Sequence, residues 1–398
     1  VGVLPALVAS GEAQAVVRGG EVFVPRLARV SVPASSEDSA TGGVFGDGTV
    51  LVTGAGGALG GLVTRHLVTE QGVRRLLLIS RRGAADAGLV SVAEELRGLG
   101  AVVEVAACDV ADLEALTGVV GGLPAGFPLS GVVHAAGVLD DATVENLTSG
   151  ALARVLRPKV VGAWNLHRLA GDVAAFVVFS SVAGTLGTAG QANYAAANVF
   201  LDALVAWRRG SGLSGTSLAW GLWEQASGMT GHLADADRAR MARAGTSPLS
   251  TELGLTLFDT ALTLDRPHLV LTPLNAAAVN SRSDQGGSSL SPLFAGLVRP
   301  ALRRATSAAA ITGAGTTLAG RLAGLSVAEQ EGLLLELVVG QVAVVLGHAD
   351  GSRLDAGRPF KDLGFDSLTA VELRNRLQAA AGVRLPATVV FDHPSPVA

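Results

Sequence analysis

Tyr194 is the only tyrosine among 398 residues. It stands thirteen residues after Ser181 and four before Asn198, and one of only two lysines, Lys159, lies upstream in Arg-Pro-Lys-Val-Val-Gly-Ala. Together these residue types could reduce a ketone, which needs a hydride on carbon and a proton on oxygen. A free phenol has a pKa near ~10, too high to respond well at neutral pH. A nearby ammonium favours phenolate and lowers that value. A serine hydroxyl can hold the carbonyl oxygen beside the phenol. Tyr194 and Asn198, one helical turn apart, face the same way. The plain alternative is a core tyrosine with an unrelated serine; its uniqueness and its neighbours weigh against that.

Such a set needs a scaffold, and residues 48–275 predict one. Seven short apolar runs alternate with helical stretches: Thr49–Thr53, Arg75–Ser80, Ala101–Cys108, Leu129–His134, Ala174–Ser180, Gly215–Trp220 and His268–Thr272. Continuous apolar strands separated by helices indicate an α/β, Rossmann-like, doubly wound parallel sheet. The turn Thr53-Gly54-Ala-Gly-Gly57-Ala-Leu59-Gly60 follows the first strand and opens a helix over about 59–71. Glycines there let a backbone approach a pyrophosphate, and the helix start supplies free N–H groups. The spacing is not G-x-G-x-x-G, and an ordinary glycine turn is the competing reading. Ser80-Arg81-Arg82-Gly83 ends the second strand. Arginine there suits the 2′-phosphate of NADPH, where an acidic residue would suit NAD; otherwise it is a solvated basic turn. Asp109 and Val110 end the third strand, where a carboxylate could meet the adenine. His134-Ala135-Ala136-Gly137 ends the fourth, with small residues leaving room for the nicotinamide ribose. His134 itself reads as a packed strand-end histidine rather than a catalytic one.

The remaining composition bounds the class. Nearly half the residues are apolar and 52 are glycine, as a buried parallel sheet with tight turns requires. Net charge is −4, which argues against a nucleic-acid surface. The single cysteine, Cys108, excludes an internal disulfide and fits a reducing, cytoplasmic setting. No apolar run approaches the ~20 residues of a membrane span, and no set of residues suggests a metal site. Val1-Gly-Val-Leu-Pro has no basic stretch of the signal-peptide kind. Because Val1 is not an initiator, the chain reads as an excerpt of a longer one.

Outside the α/β region, residues 11–30 alternate around Gly19-Gly20 as a hairpin, and 31–47 read as a linker. Residues 276–325 read as a second linker. A small helical unit follows over 326–398. Its first helix runs from Ser326 to Leu346, with Ser326 and Glu329 forming a capping box. Leu363-Gly-Phe-Asp-Ser367-Leu368 opens a second, amphipathic helix near Asp366, with Leu368, Val371 and Leu377 available to a core. As plain structure, Asp and Ser there are common helix caps.

Residues 48–275 resemble the short-chain dehydrogenase/reductase superfamily and, more narrowly, the ketoreductase domain of modular type I polyketide synthases. The common short-chain pattern has lysine four after tyrosine; here that position is Asn198 and the lysine is Lys159, an exchange typical of those ketoreductases. The resemblance implies that Tyr194 donates the proton, Ser181 positions the carbonyl oxygen, Lys159 tunes Tyr194 and Asn198 supports it. It implies NADPH, bound by Thr53, Gly54, Gly57, Leu59, Gly60, Ser80, Arg81, Arg82, Asp109, Val110, Ala135, Ala136 and Gly137. Leu139-Asp140-Asp141 matches the motif of B-type enzymes, which form a D-configured (3R) hydroxyl. The tryptophan of A-type enzymes is replaced by Leu186 and the proline of epimerising B-type enzymes by Ala196, so B1 behaviour is expected. As plain structure, the same Leu-Asp-Asp could be a polar loop with Asp141 near a helix start.

Residues 326–398 resemble acyl carrier proteins, whose Asp-Ser-Leu carries 4′-phosphopantetheine on the serine, here Ser367. The last carrier helix is expected to be shortened or missing. Residues 1–30 resemble the closing strands of the ketoreductase structural subdomain, most of which is expected to be absent, and the short linker implies no enoyl reductase at that junction. Expected partners are the tethered β-ketoacyl substrate, a phosphopantetheinyl transferase, and other domains of one module: ketosynthase, acyltransferase, dehydratase or thioesterase. Two other readings compete: a free-standing short-chain alcohol dehydrogenase, and a silent reductase acting as scaffold beside a working carrier.

Overall fold

A computed structural model describes residues 4–32, 43–188, 190–224, 247–274, 292–297, 318–346, 354–365, 367–383, 385–386 and 388–398. The first elements are helix α1 (Leu4–Ala9) and a hairpin of β1 (Val16–Arg18) and β2 (Glu21–Phe23), turning at Gly19-Gly20. The α/β region then runs β3 (Thr49–Thr53), α2 (Ala58–Thr69), β4 (Arg75–Ser80), α3 (Ala87–Gly98), β5 (Val102–Ala107), α4 (Leu113–Gly121) and β6 (Leu129–His134). It continues with α5 (Ser149–Leu156), α6 (Gly162–Ala170), β7 (Ala175–Ser181), α7 (Val182–Leu186), α8 (Ala192–Gly210), β8 (Thr216–Trp220), α9 (Thr251–Thr263) and β9 (His268–Leu271).

The strands β3 to β9 form one parallel sheet in the order β5-β4-β3-β6-β7-β8-β9. The expected doubly wound sheet is therefore present, with strand ends within one or two residues of those read from the sequence. Cys108, expected in the third strand, lies just past β5, buried, its N–H on the Ser80 carbonyl at 2.9 Å.

Alternation along each strand explains why the runs are apolar throughout. Val50, Val52, Leu76, Leu78, Val177 and Phe179 face one core, covered by α2, α3 and α9. Leu51, Leu77, Ile79, Val132, Phe176 and Val178 face the other, covered by α4, α6 and α8. A sheet buried on both faces has no polar side to show. Its strand order reverses between β3 and β6, and crevices for ligands open beyond the strand C-termini at such a point.

The carrier-like region holds α10 (Leu318–Leu322), α11 (Val327–Leu346), α12 (Ser367–Ala381) and α13 (Val389–Asp392). The helix α10 falls inside the stretch expected to be linker, whose other residues lie mostly outside the described ones. The capping box is half formed. Glu329 Oε2 accepts from the Ser326 N–H at 2.8 Å, but the Ser326 hydroxyl donates to the same oxygen at 2.7 Å rather than accepting from the helix. Val342, Val345, Phe360, Ala370, Leu373 and Val390 form the core, with Leu377 packed against it. The inward face of α12 is thus Ala370, Leu373 and Leu377. The expected Val371 is half-buried and not part of that cluster, and Asp366 and the Leu368 side chain lie outside the described residues.

Candidate active site

The residues that could act on a carbonyl sit at the C-terminal ends of β6 and β7 and along the start of α8. Ser181 ends β7 and caps α7, its Oγ accepting from the Ala183 N–H at 3.2 Å, so its hydroxyl proton is free to point elsewhere. Tyr194 and Asn198 stand one turn apart on α8. Lys159 arrives from the opposite side. Between α5 and α6 the helix widens into a π-type turn over Arg157–Val161, with Pro158 inside it. That turn carries Lys159 inward, to 4% exposure. Wide turns of this kind cluster at functional sites.

The polar contacts form one connected set. Lys159 Nζ donates to the Phe179 carbonyl at 2.8 Å and to Asn198 Oδ1 at 3.0 Å. Asn198 Nδ2 donates to the Tyr194 carbonyl at 2.8 Å. Lys159 Nζ lies 5.4 Å from the centre of the Tyr194 ring. Asn198, completely buried, is therefore the link between ammonium and tyrosine. Burial pulls the Lys159 pKa down to about 8, opposed by the Asp202 carboxylate.

The phenol differs from the expectation. Burial pushes Tyr194 above its ordinary pKa; Ser181 and Asn198 pull it down, and Asp141 pushes it further up. Desolvation outweighs stabilisation of phenolate here, because the ammonium spends its bonds on Phe179 and Asn198. The phenol is held protonated, the form a proton donor needs.

The glycine turn fits a dinucleotide. Gly54 has φ +79°, a left-handed conformation, and a Cβ there would lie 2.8 Å from the Ala135 carbonyl carbon. Gly57 precedes α2 with no side-chain cap, and Leu59 and Gly60 lie in the first turn, whose N–H groups have no helical partner. At Thr53 the hydroxyl is engaged within the protein. It is buried, bonds His134 Nδ1 at 2.8 Å and accepts from the Ala136 N–H at 3.2 Å, stitching β3 to β6. His134 is buried and held neutral, its pKa pushed down to about 3 by burial and by Lys159, against the Pro158 carbonyl. Gly137 leaves room for Lys159: a Cβ would lie 2.8 Å from Lys159 Cε.

Ser80 Oγ accepts from the Gly83 N–H at 3.0 Å and shapes the turn after β4. Of its arginines, Arg82 pairs with Asp86 at 3.1 Å, whereas Arg81 is exposed with no ion pair among the described residues. Arg81 is thus the better placed for a 2′-phosphate. Asp109 is already engaged, accepting from the Ala111 N–H at 3.0 Å and pairing with Arg157 at 3.0 Å. Burial alone would raise its pKa, but Ala111, Arg157 and Arg81 hold it below the usual carboxylate range. Val110 packs against Gly162 at the start of α6. The Leu139–Asp141 loop faces the start of α8: Asp141 Oδ2 accepts from Gln191 Nε2 at 2.8 Å, and Asp140 pairs with Arg154. Ser367 is the first residue of α12.

Comparison with known proteins accounts for this geometry. Residues 48–225 match the KR domain family, and residues 336–398 match the phosphopantetheine attachment site family. The chain is 54% identical over 354 residues to polyketide synthase GfsB of Streptomyces halstedii, covering 88% of this chain and 6% of that protein. It is 52% identical over 365 residues to the pikromycin polyketide synthase component PikAII of Streptomyces venezuelae, covering 89% and 10%. Among solved structures, an A-type ketoreductase from a modular polyketide synthase aligns with TM-score 0.64 and 39% identity, over 72% of this chain and 60% of that one.

The chain joins a polyketide synthase ketoreductase domain to a carrier domain. It spans a tenth or less of the length of the two synthases named above. Three ketoreductase residues escaped the sequence reading: Asp202, Asn193 and Gln191. Asp202 had a readable signal, since it falls one turn beyond Asn198 and two beyond Tyr194 on the same helix face.

Proposed function

We propose that the ketoreductase domain reduces a β-ketoacyl thioester with NADPH, and that Ser367 carries the phosphopantetheine arm that presents it. The observation that carries this reading is the Lys159–Asn198–Tyr194 set, its lysine and asparagine buried and its tyrosine half-buried, beside Ser181 at the open end of the sheet. The glycine turn, the helix start of α2 and the exposed Arg81 support the cofactor assignment. When bound, the nicotinamide supplies the hydride. Ser181 Oγ holds the substrate oxygen, and Tyr194 Oη, held protonated, gives that oxygen its proton. Lys159 and Asn198 hold the tyrosine in place through its backbone, and the ammonium favours the phenolate left once the proton has gone.

Leu139-Asp140-Asp141, together with Leu186 and Ala196, supports a D-configured (3R) product without epimerisation at the α-carbon. The solved relatives include A-type enzymes, so handedness rests on those residues. Purified protein, NADPH and a β-ketoacyl thioester of N-acetylcysteamine test the reading at the nicotinamide absorbance. Turnover to the D-alcohol is expected. Tyr194→Phe should lower kcat by about 10²–10⁴-fold while cofactor binding is retained. NADPH binding without turnover in the wild type favours a silent scaffold, and an L-alcohol overturns the stereochemical assignment.

A further inference from the structure

The Leu139–Asp141 loop is tied to the helix bearing Tyr194 by one buried amide. Asn193, the second residue of α8, has 0% exposure. Its Nδ2 donates to the Asp140 carbonyl at 2.7 Å, and its Oδ1 accepts from the Tyr194 N–H at 2.9 Å. The two partners fix the amide's orientation, since one is only an acceptor and the other only a donor.

Other contacts hold the loop too, one a backbone bridge and two of them exposed. The Ala142 N–H donates to the Gly190 carbonyl at 2.9 Å. The Gln191–Asp141 bond is exposed, as is the Arg154–Asp140 pair, which ties the loop to α5 instead. Exposed charged pairs contribute little, because water and salt screen them. A buried bond holds its geometry more firmly, since breaking it leaves unsatisfied polar groups away from water.

Handedness in a carbonyl reduction depends on which face of the ketone meets the hydride. That is set by the distance between the wall against which the acyl chain rests and the groups that hold its oxygen. An ångström of slack in such positioning is enough to matter. On the function proposed above, the Leu139–Asp141 loop is that wall, and the phenol and Ser181 are the groups that hold the oxygen.

We propose that Asn193 is a positioning residue for stereoselectivity, latching the Leu139–Asp141 loop to the backbone of Tyr194 so that one face of the ketone is presented. It touches none of the reacting atoms. The inference rests on the reductase reading above.

The test measures the ratio of the two 3-hydroxy products formed from the same N-acetylcysteamine thioester with NADPH. Asn193→Ala is expected to reduce the ketone still, with the minor product's share rising about tenfold, the scale of one lost buried hydrogen bond. Asn193→Asp provides a second arm should the alanine variant not fold. Its carboxyl can accept from the Tyr194 N–H, but it can donate to the Asp140 carbonyl only when protonated. The charged or titratable groups around it are Asp140, Asp141 and Arg154 on the loop side and Tyr194 and Lys159 on the other. Its selectivity is expected to fall as pH rises from about 6 to 9 through loss of that proton, while the wild-type ratio stays flat. An active wild type whose product ratio is unchanged in the alanine variant overturns the latch and leaves the reductase reading standing. So does an aspartate variant with the wild-type ratio at every pH. An inactive wild type overturns the reductase reading itself, and the latch with it.

Discussion

Lys159 is an ammonium enclosed among backbone and amide groups, and Asp202 is the acid that keeps it charged. Asp202 is itself anchored from the neighbouring strands, accepting from Ser217 Oγ at 2.6 Å and lying 3.7 Å from His268 Nε2. With the Lys159 pKa lowered to about 8, the charged form prevails below that pH and is lost above it. Tyr194 moves the opposite way and remains protonated through the same range. The alkaline fall in kcat/KM for reduction should therefore report the lysine, with a midpoint near pH 8 and a one-proton slope. Asp202→Asn removes the opposing carboxylate and should move that midpoint to lower pH, with little change in the plateau. A pH–rate profile checks both; an unmoved midpoint would assign the titration to another group. The same shift has a thermodynamic sign. The unfolded chain binds this proton more tightly than the folded one, so stability contributed by this group rises with pH between about 8 and 10.5.

The elements around the site were legible to different degrees. Short continuous apolar runs such as Val50–Val52 and Leu76–Ile79, spaced by helical stretches, fit strands buried on both sides, so the sheet was legible. The π-type turn at Arg157–Val161 left no periodic trace, because it inserts one extra residue per turn into an otherwise helical stretch. The sequence therefore named Lys159 without showing how it reaches Tyr194. Asn193 was hidden for a different reason: a buried asparagine next to a tyrosine has no signature until the loop it holds is placed. Asp109 read as a free acid at a strand end, whereas a partner 48 residues away had already claimed it. Gly137 shows an element's constraint acting on a side chain. An added methyl would press on Lys159 Cε from the end of β6. Gly137→Ala is expected to leave the fold intact, at a cost of about 1–3 kcal/mol. It should lower kcat more than it raises KM, because the displaced lysine loses its place beside Asn198. Thermal melting and steady-state kinetics separate the two effects; a fully active variant would mean that the ammonium adapts at no cost.

For the whole molecule, the presence of a reductase and a carrier in one chain changes what the reductase must do. On the function proposed, a substrate held on the phosphopantetheine arm would react intramolecularly, at an effective concentration in the range of about 1 mM for a short flexible tether. The crevice then gains nothing from tight binding of a free acyl thioester, and binding that is equal in ground and transition states would not raise kcat. A high KM toward a free surrogate is therefore the expected companion of efficient reduction on the carrier. Ser367→Ala separates the two routes. The variant should reduce a free N-acetylcysteamine thioester at the wild-type rate, since Ser367 belongs to the carrier and not to the residues around Tyr194. It should take up no phosphopantetheine from a phosphopantetheinyl transferase and coenzyme A, shown by an unshifted intact mass. Loaded with a β-ketoacyl-pantetheine, the wild-type chain should complete a single turnover at protein concentrations far below the surrogate KM, at a rate independent of protein concentration. A rate that instead rose in proportion to protein concentration would mean that the carrier of one molecule serves the reductase of another.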